Sequence, residues 1–191
     1  MPSQLMIRSP LSSGPRDRIA EGRGLVLRER GRTVVLYLEG ARCALEELPP
    51  VGQSAGNDRE RLLGIGPDAW LLVAEGGATA SPGLNSDRFE VALDQSHAWT
   101  RLGISGPSAP AVLAKGCVLD LDSQQFPPGA CAVTGFARMR VVLWRPAEHL
   151  RYDLLVGRSY ALSLWEWLSE AALEFRCEEV KPCRHFLQRT N

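Results

Sequence analysis

The 191-residue sequence predicts an α+β sandwich built from two ferredoxin-like halves. Short runs rich in β-branched and aromatic residues alternate with turn signals, and only a few segments have helical periodicity. One pattern also recurs along the chain. Residues 63–69 resemble residues 102–109, and residues 70–73 resemble residues 152–156. Together these observations indicate two related halves in which strands and hairpins are interleaved with few helices.

Four regions are predicted along the chain: an extended arm over residues 1–20, a first α+β half over 21–86, a second over 87–176, and a C-terminal tail over 177–191. The arm is rich in Pro and Ser and lacks the unbroken apolar core of a signal peptide. Its apolar residues are predicted to lie along a partner. These residues are Leu5, Met6, Ile7 and Leu11.

In the first half, β-branched and aromatic residues predict a strand over residues 33–38. Two apolar runs, residues 61–65 and 70–73, flank a Gly-Pro-Asp-Ala turn, which is typical of a β-hairpin. The remaining predicted elements are one helical turn followed by two turn-rich loops, over residues 43–48, 51–58 and 76–86.

The second half contains predicted strands over residues 89–93, 99–104, 131–144 and 152–156. A short helix is predicted over residues 109–115, with Ser108 at its N-cap and Gly116 placed to end it. A longer helix over residues 159–175, with Ser159 at its N-cap, is predicted to close the unit.

Apolar residues in this last helix recur at the spacing of one helical face. They are Ala161, Leu164, Trp165, Leu168, Ala171, Ala172 and Phe175. Trp167 lies off this stripe and is either a half-buried boundary residue or an anchor for another subunit. We predict that Trp167 and Tyr160, on one edge of the helix, and Arg145, in the connection before it, contact a partner.

The charge balance narrows the classes of partner. There are 22 basic and 22 acidic residues, so the formal net charge is zero. A nucleic-acid binder would need a basic excess, as would a polybasic membrane-surface protein. No run of eighteen apolar residues is present to cross a membrane. The odd number of cysteines, without a CxxC pair, predicts reduced thiols and a cytoplasmic location.

No catalytic, cofactor or metal site is predicted on this chain. Asp94, Ser96 and His97 are neighbours in sequence, but a triad is defined in space, so His97 is interpreted as a hydrogen-bonded structural residue. Cys43, Cys117 and Cys131 are interpreted as small buried apolar residues. The tail residues Cys177, Cys183 and His185 have loose spacing and lack a fourth zinc ligand. Walker and dinucleotide-binding glycine patterns are absent from the sequence.

Ordered motifs in the second half resemble known families. The run Asp94-Gln95-Ser96-His97, followed by Gly106-Pro107, resembles a segment of the glycine-cleavage T-protein. Four further motifs resemble the gamma subunit of heterotetrameric sarcosine oxidase: Leu113-Ala114-Lys115-Gly116-Cys117-Val118-Leu119-Asp120-Leu121, Phe126-Pro127-Pro128-Gly129, Val142-Leu143-Trp144-Arg145 and Trp165-Glu166-Trp167-Leu168. The hairpin over residues 63–73 and the Arg8-Ser9-Pro10-Leu11 opening also match.

This resemblance implies a folate-binding T-protein fold without catalytic residues, docked on alpha and beta subunits in a complex that also has a delta subunit. In such a complex, NAD, FAD and covalent FMN lie on alpha and beta, and tetrahydrofolate is used. The complex oxidatively demethylates sarcosine to glycine, hydrogen peroxide and formaldehyde or methylenetetrahydrofolate. Two alternatives stay open: the gamma subunit of N-methylglutamate dehydrogenase, and a free-standing folate-binding T-protein-like protein.

Overall fold

A computed structural model describes residues 10–11, 19–22, 24–31, 33–42, 48–57, 59–75, 88–146, 150–175 and 178–179. These residues form twelve strands and two α-helices. The strands are β1 (Ile19–Gly22), β2 (Leu25–Arg30), β3 (Thr33–Ala41), β4 (Ser54–Gly56), β5 (Glu60–Gly66), β6 (Ala69–Glu75), β7 (Phe89–Asp94), β8 (Trp99–Ser105), β9 (Cys131–Phe136), β10 (Met139–Trp144), β11 (Arg151–Gly157) and β12 (Glu178–Glu179). The helices are α1 (Ala109–Ala114) and α2 (Ala161–Ala172).

The strands form two sheets in which every strand pair is antiparallel. The seven-stranded sheet has the order β12-β1-β2-β8-β11-β10-β9, and the five-stranded sheet has the order β4-β5-β6-β3-β7. Each sheet contains strands from both sides of residue 86. The described residues of the first half hold strands and no helix, so the expected pair of ferredoxin-like halves is not confirmed.

The chain is layered, with the seven-stranded sheet in the middle. One face of this sheet packs against α1 and α2 through side chains such as Leu154, Val112 and Leu164. The other face packs against the five-stranded sheet, where Trp144 and Leu155 share a core with Leu71. A third apolar cluster, on the outer face of the five-stranded sheet, includes Leu48. Since β8, β10 and β11 are covered on both faces, their central residues are almost all buried.

The predicted hairpin over residues 61–65 and 70–73 is confirmed as β5 and β6. Gly66 pairs with Ala69, which leaves Pro67 and Asp68 as a two-residue turn. The recurring sequence pattern has a structural counterpart. Leu63 pairs with Leu71 between β5 and β6, and Leu102 pairs with Leu154 between β8 and β11.

The prediction of one strand over residues 131–144 is wrong, because this segment is a hairpin. Strands β9 and β10 are joined at Ala137 and Arg138, whose φ angles are 46° and 68°. Positive φ at both central residues is the geometry of a tight hairpin turn, which Asn and Gly adopt most easily. The Ala-Arg pair carries no such signal. The predicted pairing of this segment with residues 152–156 is confirmed by β10 and β11.

Both predicted helices are present, but their ends differ from the predictions. Ser108 stands at the N-cap of α1 without a side-chain capping hydrogen bond. Ser159 lies in a single 3-10 turn (Arg158–Tyr160), and Tyr160 is the N-cap of α2. Neither helix in the described ranges is long and apolar enough to cross a membrane. The predicted helical turn over residues 43–48 lies almost wholly outside the described residues, as does the loop over 76–86.

Candidate functional site

The first candidates for a functional site are the metal-ligating and nucleophilic side chains of the described residues. No group of three or more His, Cys, Asp or Glu side chains there could hold a metal ion. Cys131 is buried as predicted, and burial raises the pKa of its thiol to about 11, so it stays protonated and unreactive near neutral pH. Cys117 is half-buried and free. Cys43, Cys177, Cys183 and His185 lie outside the described residues.

The Asp94, Ser96 and His97 group forms a turn between β7 and β8. The Asp94 carboxylate accepts hydrogen bonds from the Ser96 hydroxyl and N–H, and these bonds lower the pKa of Asp94. The Ser96 hydroxyl oxygen accepts a hydrogen bond from the N–H of Val35 at 3.0 Å, which ties the turn to β3. His97 is exposed and accepts or donates none of these bonds. Ser96, rather than His97, is therefore the hydrogen-bonded structural residue.

A buried charge cluster lies where the seven-stranded sheet faces the five-stranded one. Asp153 on β11 is 0% exposed. Its Oδ2 accepts hydrogen bonds from Arg101 Nη2 and Arg151 Nη2, both at 3.0 Å. Arg30 Nε is 3.5 Å from its Oδ1. Three guanidinium groups thus converge on one carboxylate, and we refer to Arg30, Arg101, Arg151 and Asp153 as the arginine cluster.

Strand register assembles the arginine cluster. Strand β8 lies between β2 and β11, and its Gly103 pairs with Asp153 on one side and Arg28 on the other. A Cβ on Gly103 would lie 2.9 Å from Arg30 Nε and 3.0 Å from Asp153 Oδ1. Glycine at this position therefore leaves the space in which Arg30 reaches across β8 to Asp153.

The neighbours of the arginine cluster shift the pKa of Arg30 and give Arg101 two further contacts. Burial lowers the pKa of Arg30, Asp153 opposes that shift, and the nearby Arg151 and Arg101 add to it. Glu75, at the end of β6, supplies a second carboxylate 3.4 Å from Arg101 Nη1. The Arg101 guanidinium also lies 5.1 Å from the centre of the Trp144 ring.

Sequence reasoning missed the arginine cluster. The only local signal is that Arg101 and Asp153 interrupt runs that otherwise have the composition of buried strands. A charged residue in such a run is just as typical of a solvent-facing strand position. The pairing of these charges depends on strands 52 residues apart, which no local pattern specifies.

Two of the predicted partner-contact residues are used inside the chain. Leu11 is buried in the main core beneath the helices. Arg145 is also buried, where its Nη1 donates to the Phe126 carbonyl at 2.9 Å and its guanidinium lies 5.6 Å from the Tyr152 ring centre. The Arg145 contacts attach the loop before β9 to β11. Since Leu11 and Arg145 are both buried, little of either side chain is left for a partner. Leu5, Met6 and Ile7 lie outside the described residues.

The other two predicted contact residues lie at the start and in the middle of the last helix. Tyr160 is 56% exposed. Trp167 is half-buried, with its ring edge-on to Phe136 at a centroid distance of 5.0 Å. Its Cη2 would lie 2.6 Å from a Cβ on Gly116. Gly116 therefore makes room for Trp167, and it has no left-handed φ of the kind that ends a helix.

Comparison with known sequences gives a consistent family. A family model described as "Sarcosine oxidase, gamma subunit family" matches residues 43–174. The chain is 35% identical over 134 residues to the sarcosine oxidase subunit gamma of Corynebacterium sp. (strain P-1), covering 68% of this chain and 66% of that relative. It is 34% identical over 135 residues to the subunit gamma of Arthrobacter sp, with 68% and 66% covered. These matches span slightly less than two thirds of the relatives' length.

Comparison with solved structures extends the likeness to the fold. A chain of heterotetrameric sarcosine oxidase from Corynebacterium sp. U-96, solved in complex with pyrrole 2-carboxylate, superposes with a TM-score of 0.74 and 29% identity. That match covers 92% of this chain and 99% of the other. Aminomethyltransferase T of the glycine cleavage system from Bartonella henselae shares the fold, with a TM-score of 0.54 and 18% identity over 73% of this chain and 44% of that one. With the family model covering more than half of its residues, the chain belongs to the sarcosine oxidase gamma subunit family.

Proposed function

We propose that this chain is the gamma subunit of a heterotetrameric sarcosine oxidase. The observation that carries the proposal is the structural match to a chain of that complex, which covers 99% of the matched chain. A likeness over the whole of a subunit supports a shared place in an assembly better than a likeness in one motif does. Membership of the gamma subunit family supports the same assignment.

The complex would oxidatively demethylate sarcosine to glycine, hydrogen peroxide and formaldehyde or methylenetetrahydrofolate. NAD, FAD and covalent FMN would lie on the alpha and beta subunits, and the delta subunit would complete the assembly. Tetrahydrofolate would accept the one-carbon unit on alpha. The cytoplasm, where its thiols stay reduced, would be the location of the complex. None of these cofactors is assigned to the gamma chain.

The gamma chain itself would be a non-catalytic subunit. Its buried thiol stays protonated, its Asp94–Ser96 pair holds a turn, and its buried charges bind each other. These groups have structural duties that compete with a catalytic role. The chain would therefore contribute surface to the complex rather than reacting groups.

The α2 side of the molecule is the best candidate for that surface. Tyr160, Leu162 and Leu173 are 56%, 43% and 61% exposed on or beside this one helix. Tyr160 and Trp167 are seven residues apart and so lie on the same helical edge. Tyr is enriched at the energetic centres of protein interfaces. Leu5, Met6 and Ile7 of the arm, and the remaining exposed part of Trp167, are proposed to extend this contact.

Assembly tests the proposal directly. The chain is co-expressed with the alpha, beta and delta subunits of a heterotetrameric sarcosine oxidase, and the complex is purified through a tag on beta. We expect the chain in equal amount to the other subunits, with hydrogen peroxide formed from sarcosine. Activity with N-methylglutamate in place of sarcosine would favour the dehydrogenase alternative. Failure to co-purify, together with tight tetrahydrofolate binding by the chain alone in calorimetry, would favour a free-standing folate protein.

The α2 surface is tested by Tyr160→Ala in the same preparation. The side chain is mostly exposed, so its removal is expected to leave the thermal stability of the isolated chain unchanged while lowering its recovery in the complex. Leu93→Ala is the matched control, because Leu93 is 52% exposed on β7 in the other sheet. Equal recovery of both variants would remove α2 from the interface.

A further inference from the structure

Strand β7 leaves one edge of the five-stranded sheet open, and we refer to this as the β7 edge. Among the described residues, β7 pairs with β3 and with no other strand. The opposite end of the sheet is joined to β9 of the other sheet. The Ser54 N–H donates to the Gly129 carbonyl at 2.7 Å, and the Cys131 N–H donates to the Gly52 carbonyl at 2.8 Å. The joined sheets therefore end at β12, which has two residues, and at β7, which has six.

The register with β3 determines which backbone groups of β7 point away from the sheet. The Gln95 N–H donates to the Val35 carbonyl at 2.8 Å. Because hydrogen-bonded and non-hydrogen-bonded pairs alternate along antiparallel strands, Leu93 and Val91 also bond β3. Ala92 lies between them and is exposed, so its N–H and C=O groups point outward. Extended peptides add a strand to sheet edges that present such groups.

The side chains of β7 indicate what a pairing strand must carry. Glu90 and Asp94 are exposed on one face of the strand, and no basic residue lies between them. Val91 and Leu93, on the other face, are 37% and 52% exposed. Cross-strand neighbours are most favourable when charges are opposite or when both side chains are apolar. The β7 edge therefore suits a strand with basic residues on one face and apolar residues on the other.

The same charges disfavour a second copy of this chain as the partner. An antiparallel pair of β7 strands centred on Ala92 would place Glu90 of each copy opposite Asp94 of the other. Like charges directly opposite each other destabilise a strand pair. The two acidic residues thus oppose self-association in this register and attract a basic strand.

We propose that the β7 edge binds, as an added strand, an extended segment of a partner protein in which basic and apolar residues alternate. The basic side chains lie opposite Glu90 and Asp94, and the apolar ones lie opposite Val91 and Leu93. The α2 side, which is proposed to contact the oxidase subunits, lies beyond the seven-stranded sheet, so the β7 edge stays accessible in the complex. The partner is therefore a protein additional to those subunits, and the inference goes beyond the proposed function.

The probe is a synthetic peptide with the central sequence Lys-Val-Thr-Val-Lys, and the control peptide has Glu in place of both Lys residues. Binding to the isolated full-length chain is measured by fluorescence anisotropy, and amide hydrogen exchange is followed by NMR. We expect the Lys peptide to bind about tenfold more tightly than the Glu peptide and to slow exchange of the Ala92 N–H. Equal binding of the two peptides, or unchanged exchange at Ala92, would overturn the proposal.

Glu90→Lys tests the charge of the β7 edge without altering its backbone. The side chain is exposed, so the fold should be retained. With one acidic residue reversed, we expect the preference for the Lys peptide to disappear. Glu166→Lys, the same charge change at an exposed position of α2, is the matched control and should keep the preference. Equal loss in both variants would show that net charge, rather than β7, attracts the peptide.

Ala92→Pro tests the backbone of the β7 edge. Proline lacks an N–H and is accepted on edge strands where that N–H would face away from the sheet. We therefore expect the variant to keep its pairing with β3 and to bind the Lys peptide about tenfold more weakly. Unchanged binding by a folded Ala92→Pro variant would contradict strand addition.

Two further results would identify a different occupant and overturn the proposal. Protection of the Ala92 N–H that rises with protein concentration, in the absence of peptide, would identify a second copy of the chain. Loss of peptide binding in the assembled oxidase complex would identify another subunit. Peptide binding that persists in the complex would support an additional partner. Failure of assembly would count against the proposed function and leave the peptide measurements on the isolated chain intact.

Discussion

The two faces of the seven-stranded sheet come from the same strands and have different interiors. On the face beneath the helices, Leu102 on β8 and Leu154 on β11 are buried in the main apolar core. One residue away on the same strands, Arg101 and Asp153 are just as buried but charged. Because successive side chains of a strand point to opposite faces, the main apolar core lies on one side of the sheet and the arginine cluster lies on the other.

The apolar side chains and the ion cluster contribute to stability in different ways. Each large apolar side chain beneath the helices stabilises the fold by about 1.5–3 kcal/mol through burial. A buried ion cluster adds little net stability, because the loss of hydration opposes the attraction between the charges. Removing one member is nevertheless very destabilising, since its partners stay buried and lose a counter-charge. Apolar burial on both faces therefore drives folding, and the arginine cluster penalises any strand register that separates its members.

Removing the shared carboxylate of the arginine cluster is expected to lower stability more than any other substitution considered. Asp153→Ala leaves Arg30, Arg101 and Arg151 without their shared carboxylate. We expect the free energy of unfolding, measured by urea denaturation, to fall by about 3–5 kcal/mol. Leu155→Ala, on the same face and strand but apolar, gives the reference for simple cavity formation. A smaller loss for Asp153→Ala than for Leu155→Ala would mean that the arginines find other counter-charges.

The second effect tests the packing of the helix-covered face. Gly116→Ala places a methyl group 2.6 Å from Trp167 Cη2 and 3.0 Å from Phe136. Because two aromatic rings must move, the expected loss is about 1–3 kcal/mol in urea denaturation. Gly135→Ala is the matched control, since nothing lies within 4 Å of the added carbon there. An unchanged stability for Gly116→Ala would mean that the rings shift freely.

A third effect concerns Lys115, which joins the two helices above the apolar face. Its Nζ donates to the Ala171 carbonyl at 2.8 Å, near the end of α2, and lies close to Glu174. Lys115→Met is expected to lower stability by about 1 kcal/mol, mainly by removing the hydrogen bond. Glu174→Gln should cost less, because exposed ion pairs contribute little and are screened by salt. Thermal denaturation at low and high salt distinguishes the hydrogen bond from the ion pair, because only the contribution of the ion pair is screened by salt. A larger effect for Glu174→Gln would reverse this assignment.

The smallest effect is a stabilisation at the turn that joins β9 and β10, outside both faces. Ala137 and Arg138 have positive φ angles, which residues with a Cβ rarely adopt. Replacing them with Asn and Gly should raise the free energy of unfolding by about 0.5 kcal/mol, because those residues adopt this turn readily. Ala132→Gly, at the second residue of β9, is the control and should destabilise the fold. A lower melting temperature for the Asn-Gly variant would contradict the turn geometry.

The hairpin of β9 and β10 has a turn that local sequence does not predict. The turn at Pro67 and Asp68 was predictable, since Gly, Pro and Asp between apolar runs specify a reversal locally. The turn at Ala137 and Arg138 has no such residues, so residues 131–144 resemble one long strand. There the chain reverses because Val142 pairs with Val133 on one side and Leu155 on the other. That pairing provides enough interaction to hold two residues at positive φ.

The candidate contact residues also combine features that local sequence predicts with features that depend on distant residues. The off-stripe position of Trp167 was visible from helical periodicity, but its contacts with Phe136 and Gly116 come from residues 31 and 51 positions earlier. Arg145 looked like a surface residue in a connection, and it is buried because Phe126 and Tyr152 surround it. The arginine cluster escaped notice altogether, since its members come from three strands.

The class of the fold, most of its strands, both helices and, through ordered motifs, the family follow from the amino-acid sequence alone. These features depend on local periodicity and turn chemistry, which neighbouring residues carry between them. The three layers, the hairpin at Ala137 and Arg138, and the meeting of three arginines at Asp153 follow instead from long-range packing. Those features depend on strand order and register, which are set by the burial of both faces of a sheet whose strands lie far apart in the chain.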